Sequence, residues 1–94
     1  MLIYVEFFGV SRLVTKVKEE AFDLPEGATF RDLVRLLRTR YPKLVREVIQ
    51  PDSETLRPPN VFNLDGAKMI QPEQMDDELE DQNRIVLMSM SAGG

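Results

Sequence analysis

Apolar residues recur along this chain with two different periods, and the change of period marks its elements. In LIYVEFF, Ile3, Val5 and Phe7 alternate with Tyr4, Glu6 and Phe8, the period-two pattern of a strand over residues 2–8, and Gly9 supplies a stop. Thr15 to Leu24 is rich in charge but places Phe22 and Leu24 on one side of a pleat. This predicts a second strand, paired with the first as a hairpin through a turn around Ser11 to Val14. After LPEG the period lengthens. Phe30, Leu33, Val34 and Leu37 fall at i, i+3, i+4 and i+7, one apolar stripe of a helix from about Thr29 to Arg40. Thr29 followed three residues later by Asp32 resembles an N-cap with an acid in the first turn. Arg31, Arg35 and Arg38 occupy another face, which is either simply solvated or a site for a partner or a phosphate.

Pro42 ends that helix, and PKLVREVI predicts a short second one with Leu44, Val45, Val48 and Ile49 apolar. Residues 50–59, QPDSETLRPP, read as a polar loop. NVFNLDG is a short strand with Phe62 and Leu64 on one face, closed by the Asp65-Gly66 turn signal, and a short edge strand is expected near Met69. Residues 73–81, EQMDDELED, hold six acids with Met75 and Leu79 as the apolar anchors, which predicts an acidic loop or turn at the surface. RIVLMSM is a last strand, with Ile85 and Leu87 on one face and Val86, Met88 and Met90 on the other. The order strand, strand, helix, short helix, strand, edge strand, strand is an α+β arrangement. One main helix packed across one face of a mixed sheet is the ubiquitin-like β-grasp, in which the first and last strands lie side by side at the centre. The expected division is a β-grasp domain over residues 1–88 and a flexible C-terminal tail over residues 89–94.

Ninety-four residues, 43% of them hydrophobic, suit one compact domain. The formal net charge of −4 opposes general attraction to nucleic acid or anionic lipid, so neither a nucleic-acid nor a membrane partner is expected. The apolar start carries Glu6 and has no basic leader, so it reads as a strand and not a signal peptide, and the cytoplasm is the expected location. The chain has no cysteine and no histidine. That removes thiol nucleophiles, most zinc sites and the commonest general base. The acids of residues 73–81 do not match a spaced cation-binding loop, so no metal and no cofactor is expected. With those groups absent, the most unusual reactive group is the backbone carboxylate of Gly94, at the end of MSMSAGG.

Four stretches resemble, in register, the MoaD/ThiS-like sulfur carriers, ubiquitin relatives that include the small subunit of molybdopterin synthase and archaeal small modifier proteins. They are VEFFGVSR, DLPEGATFRDLVRLLRTRYPKL, NLDG and LEDQNRIVLMSMSAGG. Gln82 and Asn83 stand where that family has Gly-Asp, and Ser89 and Met90 where two prolines are common. The resemblance implies that an ATP-dependent activating enzyme of the MoeB/ThiF type adenylates the Gly94 carboxylate, which then becomes a thiocarboxylate or an amide with a target-protein lysine. It also implies a sulfur acceptor such as the molybdopterin synthase large subunit, and a chain that is itself a carrier and not an enzyme. Gly93 and Gly94 lack the Cβ that would obstruct a narrow channel. Six residues from Ser89 extend at most about 20 Å, enough to enter a partner's active site. Ser91, Ala92 and Gly93 would then line the path, with Met90, Met88 and Phe8 as an apolar docking patch. Phe8 is alternatively a core residue of the second sheet face, and Arg12 either borders the patch or is merely solvated. A ubiquitin-like binding module with an inert tail is the competing function.

Overall fold

In the computed structural model, residues 1–90 are described; Ser91 to Gly94, and with them most of the expected flexible tail, lie outside the described residues. β1 (Leu2–Phe7) and β2 (Glu19–Asp23) form the expected antiparallel hairpin, with Ile3 opposite Phe22. α2 (Phe30–Arg40) follows, and then β3 (Asn60–Leu64), the two-residue β4 (Lys68–Met69) and β5 (Arg84–Ser89). The five strands lie in the order β2-β1-β5-β3-β4, with β1 and β5 parallel at the centre. This is the ubiquitin-like β-grasp, with α2 across one face of a mixed sheet.

The core follows the two periods. Ile3, Val5, Phe7, Phe62, Ile85 and Leu87 face inward from the sheet and meet Leu33, Val34 and Leu37 from the helix, all of them essentially without solvent exposure. The rings of Phe30 and Phe62 stack tilted at 6.2 Å. The helix begins where the sequence places it. Thr29 Oγ1 accepts from the Asp32 N–H at 3.2 Å, and the Asp32 carboxylate accepts from the Thr29 N–H at 2.9 Å, a reciprocal capping box.

Two expected elements are corrected. The segment around Ser11 to Val14 is not a turn but a short helix, α1 (Val10–Thr15). Gly9, at φ +71°, redirects the chain out of β1, and Lys16, at φ +61°, ends the helix in the left-handed region. The second helix over PKLVREVI shrinks to a 3₁₀ turn at Pro42–Leu44, because Arg46 takes a positive φ of 86° and its N–H turns to the Ile49 carbonyl. Leu44, Val48 and Ile49 are buried nonetheless, since a looped chain can aim its side chains inward as well as a helix.

The acidic stretch does more than cover the surface. Its carboxylates are exposed, but Met75 and Leu79 are core residues, each 4% exposed. The carbonyls of Met75 and Asp77 accept from the N–H groups of Arg31 and Phe30, which the first turn of any helix leaves without intrahelical partners.

The basic face of α2 is engaged within the molecule. Arg31 Nε donates to Asp76 at 2.7 Å, and Arg35 bridges Asp32 at 2.9 Å and Glu54 at 2.6 Å. Arg38 clamps the loop after the 3₁₀ turn by donating to the carbonyls of Gln50 and Ser53. Among the described residues, no helix is long and apolar enough to cross a membrane, and no group of three acidic side chains is arranged to hold a metal ion.

Candidate functional site

The end of β5 is held from both sides. Because β1 and β5 run parallel, their C-terminal ends share one pole of the sheet. Past β1, the Phe8 N–H reaches the Leu87 carbonyl at 3.1 Å. Ser11, only 1% exposed, accepts from the Phe8 N–H at 3.1 Å and donates from Oγ to the Leu87 carbonyl at 2.9 Å. α1 is thereby pinned to β5 two residues before the strand finishes. On the other side, Asn60 of β3 pairs with Ser89, and the Met90 N–H donates to the Pro59 carbonyl at 2.8 Å. The expected tail, residues 89–94, therefore overlaps β5 at Ser89 and is still bonded to the body at Met90.

Around this root the surface exposes several apolar side chains. Phe8 is 56% exposed and Met90 55%, so Phe8 is not a core residue of the second face. Met88 is half-buried on the open face of the sheet, opposite Val61. Val10 and Leu13 of α1 are also exposed, Leu13 by 77%. Neither stands out in the sequence, where the signal is faint: two apolar residues three apart in a segment too short to show a helical period. Ser11 gives no signal at all, since its role rests on a strand 76 residues away. Arg12 and Lys16 border Leu13 around an open depression that begins at Gly9. Ser91, Ala92, Gly93 and Gly94 lie outside the described residues.

The opposite pole is built differently. Asp81 accepts from the Leu2 N–H at 2.6 Å, which holds its carboxyl below the usual range. Asn83, 8% exposed, ties the last turn together: its Oδ1 accepts from Glu80 N–H at 2.7 Å and its Nδ2 donates to Asp65 at 3.1 Å. Gln82 takes a φ of 72° there, in the left-handed region that glycine adopts without strain.

A family model described as the ThiS family matches residues 5–94, nearly the whole chain and through the Gly93-Gly94 pair. The chain belongs to the ThiS family. This is a family of small ubiquitin-like sulfur carriers. Solved structures agree in fold. SAMP1 from Haloferax volcanii is 16% identical with a TM-score of 0.82, covering 100% of each chain. A putative molybdopterin converting factor subunit 1 from Pyrococcus furiosus is 25% identical with a TM-score of 0.72, over 94% of this chain and 95% of that one. Urm1 from Trypanosoma brucei is 26% identical with a TM-score of 0.70, over 99% and 95%. No curated protein matches the sequence.

Proposed function

We propose that this ThiS-family chain is a sulfur carrier that works through the carboxylate of Gly94. An ATP-dependent activating enzyme of the MoeB/ThiF type would bind the body at Phe8, Met88 and Met90 and receive the tail. A Gly94 carboxylate oxygen attacks the α-phosphorus of ATP, the bond to the β-phosphate breaks, and pyrophosphate leaves. A sulfur nucleophile of the hydrosulfide class then adds to the acyl carbon and AMP departs, which leaves a thiocarboxylate. The sulfur passes to an acceptor held by a further partner. The likeness to a molybdopterin converting factor subunit favours a molybdopterin synthase large subunit for that role.

The observation that carries the reading is the family match through residue 94. The surface supports it: β5 delivers the chain to a pole where Phe8 and the last described residue, Met90, are both exposed. Four residues beyond Met90 span at most about 14 Å, a reach suited to a channel in a partner. With no histidine or cysteine in the chain, acid–base and thiol chemistry falls to the partners.

Pyrophosphate exchange with the activating enzyme of the same organism tests this. Deleting Gly94 should abolish exchange with the melting temperature nearly unchanged, and Gly93→Val should impair it by obstructing the channel. Mass spectrometry of protein from its host should find one oxygen replaced by sulfur. A lysine amide at Gly94 would instead make the chain a modifier. Absence of both, with the Gly94 deletion still supporting the host pathway, would leave a binding module with an inert tail.

A further inference from the structure

The charge of this molecule is sorted by pole. β1 spans six residues at about 3.3 Å each, so the two ends of the central strand pair stand about 20 Å apart. Where β5 begins, Asp77, Glu78, Glu80 and Asp81 are exposed together. Where β5 finishes, cations outnumber the exposed acids, of which Glu47 lies beside Arg46 and Glu19 is paired with Arg84. Arg12 and Lys16 flank Leu13 on α1. The Pro42–Leu44 turn packs beside α1 and brings Lys43 and Arg46, and Arg57 donates to the Arg46 carbonyl at 2.9 Å. Among the described residues, none of Arg12, Lys16, Lys43, Arg46 and Arg57 forms an ion pair. Arg31, Arg35, Arg40 and Arg84 each hold a carboxylate. The fold commits its arginines elsewhere to internal pairs and leaves uncommitted cations around the root of the tail.

We infer that this basic collar steers the molecule, tail first, onto an acidic rim surrounding an apolar pocket on the protein that accepts the tail. The inference rests on the carrier reading above and adds to it the chemistry of the partner. Cations left without internal partners keep their field for a ligand, and complementary charge raises encounter rates by about tenfold to a thousandfold. The acidic pole does not cancel that field. At physiological salt the screening length is about 8 Å, well short of the separation between poles. A protein is favoured over a phosphate polymer because Leu13 and Phe8 stand exposed beside the cations. An apolar pocket buries them, whereas a phosphate backbone leaves them in water. The net charge of −4 therefore describes the whole molecule and not the surface that meets the partner.

The test measures stopped-flow association of the full chain with the ATP-dependent activating enzyme of the same organism, at ionic strengths from about 0.02 to 0.5 M. The variants are Arg12→Glu/Lys16→Glu and, at the far pole, Asp77→Lys/Glu78→Lys; pyrophosphate exchange is read in parallel. The wild-type rate should fall with salt. The collar variant should associate about tenfold more slowly with a flat salt profile, while single-turnover adenylation at saturation is unchanged and the far-pole variant matches wild type. If exchange proceeds normally but association ignores both salt and collar reversal, the collar inference is overturned and the carrier reading stands. If wild type supports no exchange at all, the carrier reading itself fails and the inference falls with it. Binding of a labelled 12-nucleotide RNA or of phosphatidylserine vesicles at 0.15 M salt, lost on collar reversal while enzyme association is not, also overturns it. Circular dichroism checks folding, and Arg12→Gln/Lys16→Gln replaces the reversal if that variant does not fold.

Discussion

Replacing Ser11 by alanine isolates the device that pins α1 to the end of β5. The hydroxyl accepts from the Phe8 N–H at 3.1 Å and donates to the Leu87 carbonyl at 2.9 Å, with the side chain 1% exposed. Removing it orphans neither backbone group, because the Phe8 N–H and the Leu87 carbonyl still bond each other at 3.1 Å. The loss is therefore the net worth of two hydrogen bonds, at about 0.5–1.5 kcal/mol each, without the larger penalty of a buried unsatisfied group. A cost of about 1–3 kcal/mol is expected. In urea, with a slope of about 2 kcal/mol/M, the midpoint should fall by about 0.5–1.5 M at unchanged slope. Amide exchange at Phe8 should accelerate while the protection of Leu33 drops only by the global amount. A cost below about 0.3 kcal/mol would refute the pinning role. A cost above about 4 kcal/mol would mean that the hydroxyl supports packing that these bonds do not account for.

Leu33→Ala, at a position with no exposure beneath the sheet, should cost about 2–5 kcal/mol by chemical denaturation, and neutrality would remove Leu33 from the core. Thr29→Ala breaks the capping box and should cost about 1 kcal/mol, with frayed exchange confined to the first turn of α2. Acid should destabilise the protein. Asp32 is held below the usual carboxylate range by the Thr29 N–H, Glu54 by Arg35, Asp76 by Arg31 and Asp81 by the Leu2 N–H. Carboxylates depressed in the folded state add stability above their unfolded value, about 4, and lose it as pH falls through the lower folded values. The urea midpoint should stay level from about pH 7 to 5 and drop below about pH 4; a midpoint that rises on acidification contradicts this.

The elements with a strong local period are legible in the amino-acid sequence alone. The alternation of Ile3, Val5 and Phe7, the stripe of Phe30, Leu33, Val34 and Leu37, and the Thr29 cap each depend on residues within two turns or one pleat of one another. So does Asp65-Gly66, whose φ values of 53° and 73° are those such a pair favours. Where a residue's conformation depends on a distant partner, sequence patterns carry less. α1 is a single helical turn and a half with little intrinsic stability, and it exists because Ser11 reaches Leu87 and Pro42–Leu44 packs beside it. PKLVREVI has helical periodicity, yet tertiary bonds to Arg46 and Val48 draw it into a loop. The acids of residues 73–81 mark a surface, but only the fold places Met75 and Asp77 over the first turn of α2.

The candidate site divides in the same way. Gly93-Gly94, Phe8 and Met90 are visible as residue types, because chemistry at a carboxylate and exposed apolar side chains are properties of the residues themselves. The ring of cations around the tail root is not visible there. Arg12, Lys16, Lys43, Arg46 and Arg57 are spread over 46 positions, counting Arg12 to Arg57 inclusively, in a chain whose sum of charges is negative. The parallel pairing of β1 with β5 and the packing of α1 beside the 3₁₀ turn gather them at one pole. Charge is additive along a sequence, but an electrostatic field depends on distance, and distance is what folding sets.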